Sequence, residues 1–196
     1  MKNQKIIAVT GGIGSGKSSV LEILKNLGYP VFSCDEILNE VYSSRTVKKQ
    51  LKKLFPSAIK GIFCLKIDRK ALSNLVFSSP ENRRKLESIT HPEILRLAKE
   101  KIKKVRASLS FLEVPLLFEG NYQDGFEGVI VVKRNIDDRI NSVMSRSNLS
   151  REQVLSRISA QVDYDLLDLS KYIVIQNDKD LNSLKEKTLQ AIETFL

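Results

Sequence analysis

The chain has no tryptophan, one histidine, five prolines and only two cysteines in 196 residues. Each shortage excludes something. Cys34 and Cys64 cannot frame a disulfide scaffold or a metal site, so both are expected to be reduced. No apolar run approaches the roughly 20 residues a helix needs to span a bilayer, and the opening MKNQK leads into a strand pattern rather than a signal-peptide apolar region, so no membrane partner and a cytoplasmic location are expected. The lack of tryptophan and of any aromatic cluster argues against nucleic-acid recognition by base stacking. No N-K-x-D string is present, which speaks against a guanine-specific GTPase. No repeat, low-complexity tract or linker-like stretch divides residues 1–196, which are read as one domain.

What is there is an ordinary globular composition, 42% hydrophobic and 28% charged. The net charge is +9, gathered in KKQLKK at 48–53, RRK at 83–85 and KEKIKK at 99–104. A basic excess suits an anionic partner: nucleic acid, an acidic membrane or a polyphosphate metabolite. The same runs also read as solvated helix faces.

Apolar runs and turn signals give a regular order. Ile6–Val9 reads as a buried strand and Lys17–Leu27 as a helix with Val20, Leu21, Leu24 and Leu27 on one face, stopped by Gly28. Pro30–Phe32 is a second strand, followed by a helix near Glu36–Tyr42. Strand, helix, strand is the parallel-sheet unit. From about 46 to 106 the pattern is mostly helical and looks like an insertion, with a short alternating piece, Ile62–Ile67, that is either an edge strand or a loop. Ser79-Pro80 opens one helix, and Ile94, Ala98, Ile102 and Val105 form a stripe that turns the lysines outward. Strand signals return at Phe111–Val114, Val129–Val132 and Tyr172–Ile175. Asn135 caps a helix to about Arg146, Ser150-x-x-Gln153 is a capping box, and a last helix covers about Leu181–Phe195. The expected fold class is α/β: about five parallel strands flanked by helices in three layers.

The chemistry sits in "VTGGIGSGKSSV", Val9–Val20. Gly11-x-x-x-x-Gly16-Lys17-Ser18 fits the phosphate-loop pattern and lies where the pattern requires, between strand and helix. Glycines let successive backbone N–H groups point into the loop, and the helix N-terminus adds partial positive charge. Gly12, Gly14, Ser15, Gly16, Lys17, Ser18 and Ser19 are therefore the candidate nucleotide-binding residues, with Lys17 reaching the β- and γ-phosphates and the Ser18 hydroxyl a ligand for Mg²⁺. A dinucleotide loop is disfavoured because the glycines run 12, 14 and 16 with a lysine next. The anion is expected to be the triphosphate of ATP. A kinase further needs a group to take the acceptor's proton, and Asp35 qualifies by lying just past the second strand, at the carboxyl edge of the sheet. Capping of the following helix is its bland role.

These strings resemble the dephospho-coenzyme A kinase family over nearly the whole chain. "TGGIGSGKSS" is similar to the family's T-G-G-I-G-S-G-K-S-T, "FSCDEI" stands at its D-A-D motif, "THPEI" at its His-Pro motif, "LEVPLLFE" at its P-L-L-F-E motif, and Arg157-x-x-x-Gln161 at its R-x-x-x-Q. The resemblance implies a phosphate-loop kinase fold with a helical substrate-binding insertion and a small lid. On that division the core is about 1–45 and 107–196, the insertion about 46–106 and the lid about 146–165. It implies transfer of the ATP γ-phosphoryl group to the 3′-hydroxyl of dephospho-coenzyme A with Mg²⁺. Asp35 would then accept or orient the hydroxyl proton, Glu113 would hold the metal through water, and Arg146 would neutralise the moving phosphoryl group. Arg157 and Gln161 would line the lid or the nucleotide pocket. The partners implied are ATP and dephospho-coenzyme A, with no nucleic acid; oligomeric state is left open.

The departures from the family pattern are specific. Ser33 replaces the first aspartate of D-A-D, and Ser142 replaces an arginine four residues before Arg146, so Arg139, one turn earlier, is the candidate to supply that charge. Lys171-Tyr172 stands for the usual A-D, and Lys179 for the glycine of N-D-G, although Asn177-Asp178 remain. His91 precedes Pro92, is biased to extended backbone and is expected to mark a break between helices, in a structural or substrate-orienting role. Two rivals remain: a nucleoside monophosphate, shikimate or gluconate kinase on the same loop, and an ATP-dependent nucleic-acid-binding module.

Overall fold

The apolar run Lys5–Thr10 (β1) is the middle strand of a five-stranded sheet. A computed structural model describes residues 4–196. β1 pairs in parallel with Leu109–Glu113 (β5) on one side and Gly128–Lys133 (β6) on the other; Val31–Ser33 (β2) flanks β5 and Ile173–Gln176 (β7) flanks β6. The order is β2-β5-β1-β6-β7. The five expected parallel strands are thus present, within two residues of their expected ends. Strands buried on both faces are largely apolar, and β1, β5 and β6 read that way, with Thr10 and Ser110 as buried polar exceptions.

Parallel strands require crossovers: helix Lys17–Asn26 (α1) connects β1 to β2, Ile136–Ser147 (α6) and Arg151–Ser159 (α7) connect β6 to β7, and the closing helix Leu181–Glu193 (α8) covers the core after the last strand. Ile7, Val9, Val20, Leu24, Phe111, Ile130, Val132, Ile175 and Ile192 form one buried core. Ile140, Val143 and Val154 form a second between α6 and α7. The caps fall where the side chains demand: Asn135 Oδ1 accepts from the Asp137 main-chain amide, and Ser150 with Gln153 closes the capping box. Gly28, at φ +86°, ends α1. The chain lays β2 and β5 on one side of β1 and β6 and β7 on the other, so the carboxyl end of β1 opens at a topological switch point, where such sheets bind ligands.

By internal contacts the chain forms two compact units, one running to Ser33 and resuming at Ile102, the other Cys34–Lys101. The second unit holds Cys34–Val41 (α2), Arg45–Leu54 (α3), Arg69–Phe77 (α4) and most of Pro80–Lys104 (α5). The alternating piece near 62–67 resolves into a small antiparallel hairpin, Ile59–Lys60 (β3) and Lys66–Ile67 (β4), with Ile59 opposite Ile67. Its loop leaves Phe63 96% exposed. Cys34 is buried at the start of α2, and Cys64 is exposed in that loop.

The expected break at His91-Pro92 is not there. α5 runs 25 residues straight through Pro92. Proline removes one backbone hydrogen bond and crowds the preceding turn, at about 3 kcal/mol. The buried stripe of Thr90, Ile94, Ala98 and Ile102 crosses the site and offsets that cost. The Thr90 hydroxyl also donates to the Leu86 carbonyl at 3.0 Å, and Ser88 to Lys85 at 2.9 Å.

His91 is half-buried in that helix, and burial holds its pKa below the ordinary 6.5, with Glu87 opposing. The unfolded chain therefore takes up a proton first as pH falls. Stability from this group is complete above 6.5 and is lost as pH drops through the folded value. The urea midpoint of the wild type is expected to fall between about pH 7 and pH 5, and that of His91→Gln to fall less. Equal slopes in the two proteins would remove His91 as the cause.

Candidate active site

Between β1 and α1 the chain makes the loop Gly11–Ser18, and side chains from other elements hold its backbone. The Lys17 ammonium donates to the carbonyls of Gly11 at 2.7 Å and Gly12 at 3.1 Å. Arg139 Nε donates to the Ile13 carbonyl at 3.0 Å, and Asn177 Nδ2 to the Ser15 carbonyl at 2.9 Å. In a trans peptide the C=O and the following N–H point in opposite directions. Drawing the Ile13 and Ser15 carbonyls outward therefore turns the amides of Gly14 and Gly16 the other way, into the loop. That is an anion cradle, continued by the first turn of α1, which carries no acidic side chain to neutralise its positive end.

Gly16 is the N-cap of α1 at φ 96°, ψ 18°. A Cβ there would lie 2.1 Å from Asn177 Nδ2, so both backbone and space require glycine. A Cβ on Gly12 would meet Arg139 Nη2 at 2.4 Å, which places the guanidinium directly against the loop. The Ser15 side chain points inward and is buried, with no protein partner for its hydroxyl oxygen.

Beside the loop, a recess lined by Gly12, Ser15, Lys133, Arg134, Arg139 and Tyr164 opens at the end of β6. Asp165 also lines it, and three cations against its one carboxylate suit an anionic group. Lys133 pairs with Asp165 at 2.5 Å. Burial pulls Arg139 below the ordinary guanidinium value, while Asp165, Tyr164 and Asp163 push it back, and an arginine so placed stays charged. Burial also raises the Tyr164 phenol, which keeps it neutral and able to share a 3.3 Å hydrogen bond with the Thr10 hydroxyl.

Glu113 ends β5 opposite Val9, and its Oε2 accepts from the Ser33 hydroxyl at 3.2 Å. The serine that departs from the family pattern thus bonds the neighbouring carboxylate, where an aspartate would repel it. Ser18 is exposed in the first turn of α1. Among the described residues no group of three His, Cys, Asp or Glu side chains could cage an ion by itself. One hydroxyl and one carboxylate suit Mg²⁺, which is bound by few protein ligands and completed by phosphate oxygens and water.

The remaining expected residues divide. Asp35 lies exposed in the first turn of α2, inside the helix rather than at its cap, with Asn39 bonded to its main-chain carbonyl. Arg146, in the last turn of α6, and Arg157, in the last turn of α7, are both exposed, and of the arginines expected here only Arg139 is tied to the loop. Sequence reasoning missed Tyr164 and Lys133: Tyr164 lies in the irregular stretch after α7, which has no periodicity to mark it, and Lys133 ends β6 as one basic residue among many. Asn177 carried a signal in the retained Asn-Asp pair, but its partner, a loop carbonyl, could not be read from spacing.

Gly16→Ala is expected to weaken ATP binding at least about tenfold, since positive φ and the Asn177 contact both oppose a side chain. Gly28→Ala, at φ +86° with nothing within 4 Å, should cost stability of about 1 kcal/mol and leave ATP affinity unchanged. Calorimetric ATP titration with thermal melts of both variants checks the contrast.

Comparison with known proteins fits this geometry. A family model described as dephospho-CoA kinase matches residues 5–183. A dephospho-CoA kinase of Thermus thermophilus is 40% identical over 97% of this chain and 91% of its own length, and one of Fusobacterium nucleatum is 30% identical over 97% and 98%. A crystal structure from Thermus thermophilus superposes with TM-score 0.87 at 39% identity, covering 100% of this chain and 99% of its own. The dephospho-CoA kinase structure from Campylobacter jejuni gives 0.68 at 28% identity, covering 97% and 96%. A Sinorhizobium meliloti gluconokinase, 13% identical with TM-score 0.51, shares the fold alone.

Proposed function

The chain belongs to the dephospho-CoA kinase family, a kinase of coenzyme A synthesis that takes ATP as phosphoryl donor, and from that premise we propose how its residues carry the transfer. The observation that supports the reading most is the phosphate loop, with Lys17 over it and Arg139 and Asn177 holding its carbonyls. The amides of Gly14–Ser18 bind the β- and γ-phosphates of ATP, and Lys17 neutralises charge on the group in transit. Lys133, Arg134 and Arg139 draw the nucleotide into the recess beside them. Ser18 and Glu113 would hold Mg²⁺, which would supply screening of the phosphate charge when bound.

The acceptor is the 3′-hydroxyl of dephospho-coenzyme A. Its oxygen bonds to the γ-phosphorus while the bond to the β–γ bridging oxygen breaks and ADP departs; the hydroxyl proton goes to Asp35. Arg146 and Arg157 belong to a lid, about 146–165, whose charge meets the moving group and whose closure keeps water from it. The helical stretch of about 46–106 receives the acceptor and its pantetheine arm. Among the described residues no helix is long and apolar enough to cross a membrane; with a water-soluble donor and acceptor, the cytoplasm is the proposed compartment.

With purified protein, ATP and Mg²⁺, the product from dephospho-coenzyme A should be coenzyme A, and metal removal should abolish it. Higher kcat/KM toward a nucleoside monophosphate, shikimate or gluconate would defeat the acceptor assignment. Asp35→Asn should fold normally and lose about 10²–10⁴-fold in kcat, the usual span for a lost general base. Lys17→Ala should lose about 10²–10³-fold, as for other lost transition-state donors. Near-normal turnover by Asp35→Asn would remove Asp35 from the reaction.

A further inference from the structure

Ile13 is the one large apolar residue of the phosphate loop, and the rest of the fold grips it. Its side chain packs against the buried cluster of Ile140, Val143 and Val154, where α6 meets α7. Its carbonyl accepts from Arg139 Nε at 3.0 Å. Its amide donates to Gln161 Oε1 at 2.7 Å, across 148 positions of sequence. A main-chain N–H can only donate, so Gln161 must present its oxygen, and its orientation is fixed by chemistry.

Gln161 is itself held on both sides. Its own amide donates to the Ile158 carbonyl at 3.1 Å, closing the end of α7. The next amide, Val162, donates to Glu119 Oε1 at 3.2 Å, and Tyr164 shares its bond with Thr10 at the end of β1. The segment 161–164 is therefore a brace fastened to the end of β1, to the turn that follows β5 and to the loop.

The geometry points to Gln161 as a positioning residue for Lys17. The Ile13 N–H and the Gly12 C=O belong to one peptide plane and face opposite ways. Drawing that N–H toward Gln161 aims the Gly12 carbonyl at the Lys17 ammonium, 3.1 Å away. The Ser15 amide also donates to the Gly12 carbonyl at 3.2 Å, so loss of the Gln161 acceptor loosens this peptide from one side only, and any turning sets an N–H against the cation instead of an oxygen. Arg139 fixes the next peptide in the same manner and directs the Gly14 amide inward. Gln161 touches no reacting atom in this scheme; it acts through Ile13, Gly12 and Lys17. Movement of α7 also reaches the loop, through this bond and through the packing of Ile13 on Val154, so lid position and nucleotide affinity are linked.

The inference rests on the phosphate loop being the ATP site, and its test separates the two. Gln161→Met keeps length and loses the acceptor; Gln161→Glu keeps an acceptor oxygen. Calorimetric titration of the full chain with ATP, no second substrate present, should show Gln161→Met about three- to tenfold weaker than wild type, the usual weight of one net hydrogen bond. Gln161→Glu should stay within about twofold of wild type. The KM for dephospho-coenzyme A should be unmoved in both, and hydrogen exchange at the Ile13 amide should quicken only in Gln161→Met. Wild-type ATP affinity in Gln161→Met, equal loss in both variants, or equal rises in both KM values would overturn it. A wild type that binds ATP but does not phosphorylate dephospho-coenzyme A would instead overturn the acceptor assignment and leave this comparison intact.

Discussion

A backbone can bind phosphate with its amides only if its carbonyls are turned elsewhere, and everything else in the nucleotide site follows from that constraint. Peptide planarity makes the two requirements one. Here three donors take the carbonyls: Lys17 those of Gly11 and Gly12, Arg139 that of Ile13, Asn177 that of Ser15. Lys17 is local, at the start of α1, but Arg139 of α6 and Asn177 after β7 are over 100 residues away in sequence, so distant elements help to shape the loop. Glycines permit the conformation, and the side chains select it.

The same economy of placement governs charge. Many basic residues stand in exposed ion pairs: Lys85 with Glu81 at 2.7 Å and Arg96 with Glu93 at 2.6 Å within α5, and Lys101 of α5 with Glu40 of α2. Exposed pairs of this kind are worth roughly 0–1 kcal/mol and serve solubility more than binding. The cations that matter for an anionic ligand are few and stand at the sheet's carboxyl edge: Lys17, Lys133, Arg134 and Arg139. Net charge alone suggested nucleic acid as readily as a metabolite; position favours a compact polyphosphate.

The sheet and the loop were legible in the sequence because each has a strong local signature. Buried parallel strands are short apolar runs, and Gly11–Ser18 is a spacing pattern with one mechanical meaning. Caps at Asn135 and Ser150 were legible for the same reason. What could not be read were pairings set by tertiary contact, such as Ile13 with Gln161, Ser15 with Asn177 and Thr10 with Tyr164. At Pro92 the local rule predicted a break and burial prevailed, since the buried stripe of Thr90 before the proline and Ile94, Ala98 and Ile102 after it favours continuing the helix. At Ser33 the comparison with the family pattern registered only a lost charge, whereas the fold gives the hydroxyl a carboxylate to bond.

The central claim is that the main-chain amides from Gly14 to Ser18 grip the triphosphate. Amide NMR spectra recorded while ATP is added read this directly, residue by residue. The account predicts the largest downfield shifts at Gly14, Ser15, Gly16, Lys17 and Ser18, with the turn at Gly28 unmoved. Shifts confined to other parts of the chain, with these five amides unchanged at saturating ATP, would contradict it.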